Sequence, residues 1–307
     1  MKTSHPIRRL LLPALGCLCI ASSLASCRRA RALGPPRAVP VVADGSLELK
    51  LATFNLRHEN HDDDGLRAWH KRIPRIVRMI REEETDILGI QEAMHGQAAD
   101  LWASLPDFEF FGHARADGAR IGEYAGIFFR RDRFEPDPTD RGTFWLSDTP
   151  ETPGSATWGN TIPRTATWLR ITDRASQRSF YVINTHWDHR GQPSRLRAAD
   201  LLAERINHRR HSQDPVILLG DFNALPHNPA IQNLTTQTGL VETLAAANHK
   251  RPTGPTLHFW RGSAAGPLQV DHIFVSPAAK ILSARIRNHD QPFLSDHFPV
   301  SAHVIFP

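Results

Sequence analysis

One local pattern recurs along the chain: a short apolar run that stops at a hard polar side chain. Val216-Ile217-Leu218-Leu219-Gly220 stops at Asp221, followed by Phe222 and Asn223. Leu47 to Phe54 stops at Asn55, Asp86 to Gln91 at Glu92, and Ser179 to Thr185 at His186. Runs this short, bounded by glycine and polar residues, read as buried strands. Strand ends along one edge of a sheet are where α/β enzymes gather their chemistry. Side chains alternate across a strand, so Asp221 and Asn223, two apart, are expected to aim at one point. A single such end reads equally well as a turn, because Asp and Asn are common after strands. Several ends that all carry carboxylate, amide or imidazole are hard to explain that way.

The segments between these runs supply the rest of a mixed fold. Apolar Ile73, Ile76, Val77 and Ile80 predict a helix over 73–84, with Pro74 tolerated in its first turn. Further helices are expected over 97–104 and 194–209, and further strands over 123–129, 143–146, 165–171, 270–275 and 300–305. No repeat or sustained heptad is visible. The 307 residues, 40% hydrophobic and 22% charged, can build one large core or two modest ones.

The N-terminus reads as a targeting segment. Lys2, Arg8 and Arg9 precede a mostly apolar stretch from Leu10 to Leu24 that is too short for a good transmembrane helix. It ends in Leu24-Ala25-Ser26-Cys27, which resembles the lipobox of bacterial lipoproteins, with plain secretion as the alternative. The expected organisation is a lipoprotein signal peptide over 1–26, a flexible Arg-, Ala- and Pro-rich tether over 27–46 and a folded domain over 47–307. The expected location is the bacterial cell envelope, through a lipidated Cys27 in the membrane. All three cysteines lie at or before Cys27, so the domain has none to cross-link and its core must hold it. Lys2, Arg8 and Arg9 account for three of the 37 bases and no acid precedes Cys27, which leaves 34 bases against 32 acids, a net +2. No basic block marks a dedicated nucleic-acid arm.

Carboxylates and amides at strand ends suit a hard divalent cation, Mg²⁺ or Mn²⁺, better than zinc, which favours clustered His or Cys. No glycine-rich phosphate loop and no Gly-x-Ser-x-Gly elbow is present. Several polar and aromatic stretches have plainer readings. His58, His61 and Asp62 to Asp64 read as a solvated loop, Asp188 and His189 equally as shaping the loop after a strand or as direct catalysis, and Phe259-Trp260 as a packed strand more than a lipid contact.

Taken together, Thr53-Phe54-Asn55-Leu56-Arg57, Ile90-Gln91-Glu92, Asn184-Thr185-His186-Trp187-Asp188-His189, Gly220-Asp221-Phe222-Asn223, Val270-Asp271-His272 and Ser295-Asp296-His297-Phe298-Pro299 resemble the endonuclease/exonuclease/phosphatase superfamily. That superfamily includes deoxyribonuclease I and neutral sphingomyelinases. Phe144 to Pro150 and Pro163-Arg164-Thr165 look like a secreted bacterial branch of it. The resemblance implies an α/β (α+β) four-layer sandwich of two mostly antiparallel β-sheets flanked by helices. It implies that Asn55, Glu92 and Asp296 surround the metal, that Asp221 orients or deprotonates the attacking water, and that Asn223 holds a phosphate oxygen. It pairs His297 with Asp271 and His186 with Glu123, and sets Arg164 near the phosphate. Two imidazoles so paired are expected to have raised pKa values. The expected activity is metal-dependent hydrolysis of a phosphodiester or phosphomonoester in a nucleic acid, phospholipid or small molecule, by a monomer. A sphingomyelinase-like lipid phosphodiesterase and a non-catalytic binding module of the same fold are the alternatives. An apolar rim would favour a lipid, and a basic groove a nucleic acid.

Overall fold

The computed structural model describes residues 1, 45–249 and 253–307; residues 2–26 of the expected signal peptide, Cys27 and nearly all of the tether lie outside the described residues. In chain order the elements are β1 (Leu47–Asn55), α1 (Trp69–Glu82), β2 (Ile87–Ala93), α2 (His95–Ser104), β3 (Phe108–Phe111), β4 (Tyr124–Arg130), β5 (Phe134–Trp145), β6 (Thr165–Asp173) and β7 (Ser179–His186). Then come α3 (Gln192–Asn207), β8 (Val216–Asp221), α4 (Pro229–Thr238), β9 (Val241–Glu242), α5 (Thr243–Ala247), β10 (Asp271–Val275), β11 (Lys280–Ile286) and β12 (Val300–Phe306). They form two six-stranded sheets, ordered β11-β12-β1-β2-β4-β3 and β5-β6-β7-β8-β10-β9. The pairs β1–β2 and β7–β8 are parallel and the other strand pairs antiparallel.

The sheets pack face to face, and strand parity decides what each side chain meets. Leu47, Leu49 and Leu51 of β1, Val182 of β7, Ile217 and Leu219 of β8 and Ile273 of β10 fill the layer between the sheets. The alternate residues of β8, Val216 and Leu218, face outward onto α3 and α4, with Leu202, Ile206 and Leu234. Leu88 and Ile90 of β2 likewise meet Ile76, Met79 and Ile80 of α1. A strand buried on both faces reads as an unbroken apolar run, which is why β8 is so legible. The result is the expected four-layer sandwich of two sheets with helices outside.

The same parity carries polar residues inward at one edge. Thr53 and Asn55 continue the inner face of β1, Asn184 and His186 that of β7, Asp221 that of β8, and Asp271 that of β10. A buried polar layer lies beneath the edge: Gln91 Nε2 donates to Thr53 Oγ1 (3.0 Å) and Asn184 Oδ1 (2.7 Å), and Asn184 Nδ2 donates to the carbonyls of Ile90 and Gly126. Two glycines let the chains come this close. A Cβ on Gly89 would stand 1.9 Å from Leu219 Cδ1, across the sandwich. One on Gly220, at φ 150°, would stand 2.1 Å from the Thr185 carbonyl on β7.

Some boundaries differ from expectation. Helix α1 begins at Trp69, which puts Pro74 inside the helix instead of its first turn. Tertiary anchors draw the start back: Trp69 Nε1 donates to Asp100 (3.0 Å), and the fully buried Arg72 donates to the Leu56, Arg57, Arg67 and Leu294 carbonyls. Strand β5 is longer than 143–146, its early part hidden by prolines and a register shift between Pro136 and Arg141. Strands β3, β9 and β11 and helices α4 and α5 had no counterpart in the expectation. For α4 the signals were present: Asn228 caps the Ala230 N–H, Pro229 opens the helix and Gly239 closes it at φ 70°.

Candidate active site

Asp221 is the hub of the polar edge. Its Oδ2 accepts from Asn55 Nδ2 (2.9 Å) and lies 3.6 Å from His186 Nε2 and 3.9 Å from His297 Nε2. Its Oδ1 accepts from the Asn223 N–H (2.9 Å). Burial and then the nearby Asp271 charge push the Asp221 carboxyl up to about 7, against the pull of His297. A carboxyl with that pKa can take a proton from water near neutral pH.

The two imidazoles on either side differ. His297 Nδ1 donates to Asp271 Oδ2 at 2.8 Å. Burial opposes its charge, but Asp271, through its charge and hydrogen bond, together with Asp221 and Asp296 outweighs burial and lifts His297 to about 10, so it is an imidazolium at neutral pH. The other Asp271 oxygen, Oδ1, is buried without a hydrogen-bond partner. His186 has no such partner. Glu123 Oε2 is 3.8 Å from His186 Nδ1, beyond hydrogen bonding, because Arg115 holds the Glu123 carboxylate with both terminal guanidinium nitrogens. Arg164 Nη1 instead donates to His186 Nε2 at 2.9 Å. Burial first, and Arg164 second, hold His186 well below the ordinary histidine range. The expectation of a raised pKa at His186 is therefore corrected: its near neighbour is a cation.

The expected metal ligands are placed unequally. Glu92 sits at a bulge in the β2–β4 pairing with φ 60°, which turns its carboxylate away from the helix-facing side of β2 that its place in the strand would give it. Its Oε1 accepts from Asn55 Nδ2 (3.0 Å), and its Oε2 lies 3.2 Å from His58 Nδ1. Burial opposes its ionisation, but the His58 hydrogen bond, the His297 charge and the Asn55 hydrogen bond hold the Glu92 carboxyl well below the usual range. Asn55 Oδ1 accepts the Arg57 N–H. Asp296 stands apart, its Oδ2 taken by Arg57 Nη1 at 2.9 Å while Arg57 Nε grips Asp63. Possible ligand atoms of Glu92, His186 and Asp221 lie within 4.8 Å of one another, as do those of Asp221, Asp271 and His297. An imidazolium fills the second group, so the first, with the Asn55 amide beside it, is the set whose carboxylates can hold a cation.

Asn223 has a left-handed backbone (φ 47°) and donates its amide to the Trp187 carbonyl (3.0 Å), so it ties two site loops together. Arg164 is buried, has an unpartnered Nε, and also donates to His189 Nδ1 at 2.9 Å. Asp188 shapes its loop through the Arg190 and Gly191 N–H groups, as the plain reading had it. Two loop residues read as solvated are part of the site, Asp63 through Arg57 and His58 through Glu92. Their position just after a strand-ending asparagine was the available signal; Arg115 offered none.

The sequence profile of the Endonuclease/Exonuclease/phosphatase family matches residues 52–297. An endonuclease/exonuclease/phosphatase structure from Bacteroides vulgatus is 33% identical over 84% of this chain and 98% of its own, with a TM-score of 0.78. The mannosyl-6-phosphatase of Bacteroides thetaiotaomicron is 29% identical over 83% and 99%, at 0.77. The human Nocturnin catalytic domain with a bound sulfate, 19% identical over 84% and 93% at 0.66, shares the fold. No curated protein matches the chain. With the family profile covering most of the chain and the sheet edge carrying this polar constellation, the chain belongs to the Endonuclease/Exonuclease/phosphatase family.

Proposed function

We propose that the protein is a divalent-metal-dependent phosphoesterase that hydrolyses its ester by in-line attack of a water held at Asp221. The observation that carries this reading is the hub itself: a buried carboxyl lifted to about 7, 3.9 Å from an imidazolium. Asp221 accepts the water's proton as the nucleophile attacks. His297 Nε2–H, charged because Asp271 holds its other nitrogen, faces the negative charge that develops on the phosphoryl oxygens. Arg164 adds a second buried cation, which His186, kept neutral, holds by accepting at Nε2; the leaving alkoxide takes its proton from solvent water. Glu92, with Asn55 and Asp221 beside it, would hold Mg²⁺ or Mn²⁺, whose chemistry there is to polarise the phosphoryl group. Asp296 would join that set only by releasing Arg57.

The mannosyl-6-phosphatase similarity supports a phosphate-ester substrate and brings phosphomonoesters to the front. The test is phosphate release from a monoester, alongside cleavage of bis-(p-nitrophenyl) phosphate and plasmid DNA. Each is run with Mg²⁺, Mn²⁺ or chelator, with Asp221→Asn and His297→Ala as controls. Chelator-sensitive release lost in both controls is the expected result. Release that survives either control would sink the assigned roles. We further propose export and lipidation at Cys27; failure of labelled fatty acid to appear on the mature protein, or its persistence in Cys27→Ala, would contradict that.

A further inference from the structure

Residues 256–259 run beside the segment that brings Asp296 and His297 to the site. Leu257 bridges His297, and the Asp296 carbonyl accepts from both the His258 N–H (2.8 Å) and the Phe259 N–H (3.1 Å). The backbone of Phe259 is thereby fixed next to Asp296. Phe259 and Trp260 both take left-handed conformations, φ 50° and 63°, which bulky residues rarely adopt. Strained backbone is concentrated here: eight described non-glycine residues have positive φ, and Arg57, Glu92, Asn223, Phe259 and Trp260 belong to this site or its rim.

The turn sends its two rings to different surroundings. The Trp260 ring lies near the guanidinium groups of Arg57, Arg67 and Arg72, at 5.8, 5.1 and 5.9 Å. The Phe259 ring is 49% exposed, with the Arg261 guanidinium 5.6 Å from its centre. Packing gives no reason to hold an apolar ring in water by strained backbone beside Asp296. Arg67 and Arg261 are exposed and form no ion pair among the described residues, so both have donors to spare.

Resting on the phosphoesterase reading above, we infer that this rim is the subsite for the alcohol half of the ester and that the substrate is a sugar phosphate. A sugar ring has a flat C–H face to lie on Phe259 and hydroxyls to accept from Arg261, whose guanidinium is 5.6 Å from that ring's centre. An acyl chain would leave those donors unused. A nucleic-acid strand wants a continuous basic track, and the neighbouring loop exposes Glu59, Asp62 and Asp64.

The test uses the full chain and Phe259→Ala and Phe259→Tyr variants. Substrates are mannose 6-phosphate, acyclic glycerol 3-phosphate and p-nitrophenyl phosphate, and calorimetric titration with mannose 6-phosphate is run without turnover. Phe259→Ala is expected to raise KM and Kd for mannose 6-phosphate about tenfold, the upper end of what one ring contact supplies. It should leave kcat, the melting temperature and glycerol 3-phosphate kinetics unchanged, and Phe259→Tyr should behave as wild type. Equal losses on the sugar and acyclic esters, a loss confined to the aryl ester, or no change in Kd would each overturn the inference. A wild type that binds mannose 6-phosphate through Phe259 yet releases phosphate from no ester would count against the phosphoesterase reading and leave the subsite standing.

Discussion

His297 and His186 lie within 4 Å of the same Asp221 oxygen, and they are opposites. Both are buried, which disfavours charge on each. His297 gains an aspartate at 2.8 Å and becomes an imidazolium; His186 gains an arginine at 2.9 Å and stays neutral. Burial leads at both: at His297 the charges of Asp271, Asp221 and Asp296 together overcome it, whereas at His186 the Arg164 charge adds to it. The site thereby holds one residue type in two states, a fixed positive charge on one side and a neutral imidazole on the other.

Asp221→Asn removes the group both imidazoles face, and kcat should fall about 10³-fold, within the range for a lost general base. A loss below tenfold would mean that water is activated elsewhere. Asp271→Asn comes next, with an expected drop of about 10²-fold at pH 8. The Asp271 charge raises both His297 and Asp221, so both limbs of the pH–rate profile should move to lower pH in the variant. A basic limb that stays put would break the assignment of His297 as the charged partner. Stability gives an independent check. A pKa raised to about 10 means the pair stabilises the fold fully below the ordinary histidine value and loses that contribution as pH rises through 10. Urea unfolding of wild type and Asp271→Asn should therefore differ most near pH 6 and converge above pH 10.

Smaller effects sharpen the other side. Arg164→Met removes the second cause of the low His186 pKa, so the imidazole NMR titration of His186 should shift upward while that of His297 changes less. An unmoved His186 would mean that burial alone sets its state. Glu123→Gln should leave His186 titrating as before and change kcat less than about threefold, since Arg115 and not His186 holds that carboxylate. A large effect would restore the Glu123–His186 pair.

Much of this site was legible in the sequence, because the rule that made it so is local. Asn55, His186, Asp221 and Asp271 lie an even number of residues from inner-face apolar neighbours, such as Leu51, Val182, Leu219 and Ile273. A two-residue period carries each to the same layer once its strand forms. The helices and strands whose apolar spacing was strong, such as β8 and α3, were equally clear, whereas β5 was blurred by its prolines.

By itself, then, the sequence determined the strand edges, the residue types on them and the inner face they occupy, since these depend on neighbours a few positions away. Only the tertiary structure decided which charges meet. The bulge that turns Glu92, the Arg57 link from Asp63 to Asp296, the exchange of Glu123 for Arg164 at His186 and the exposed ring of Phe259 each depend on long-range placement. Charge state and pairing fall off over a few ångströms, and the chain brings those ångströms together only when the two sheets close on each other.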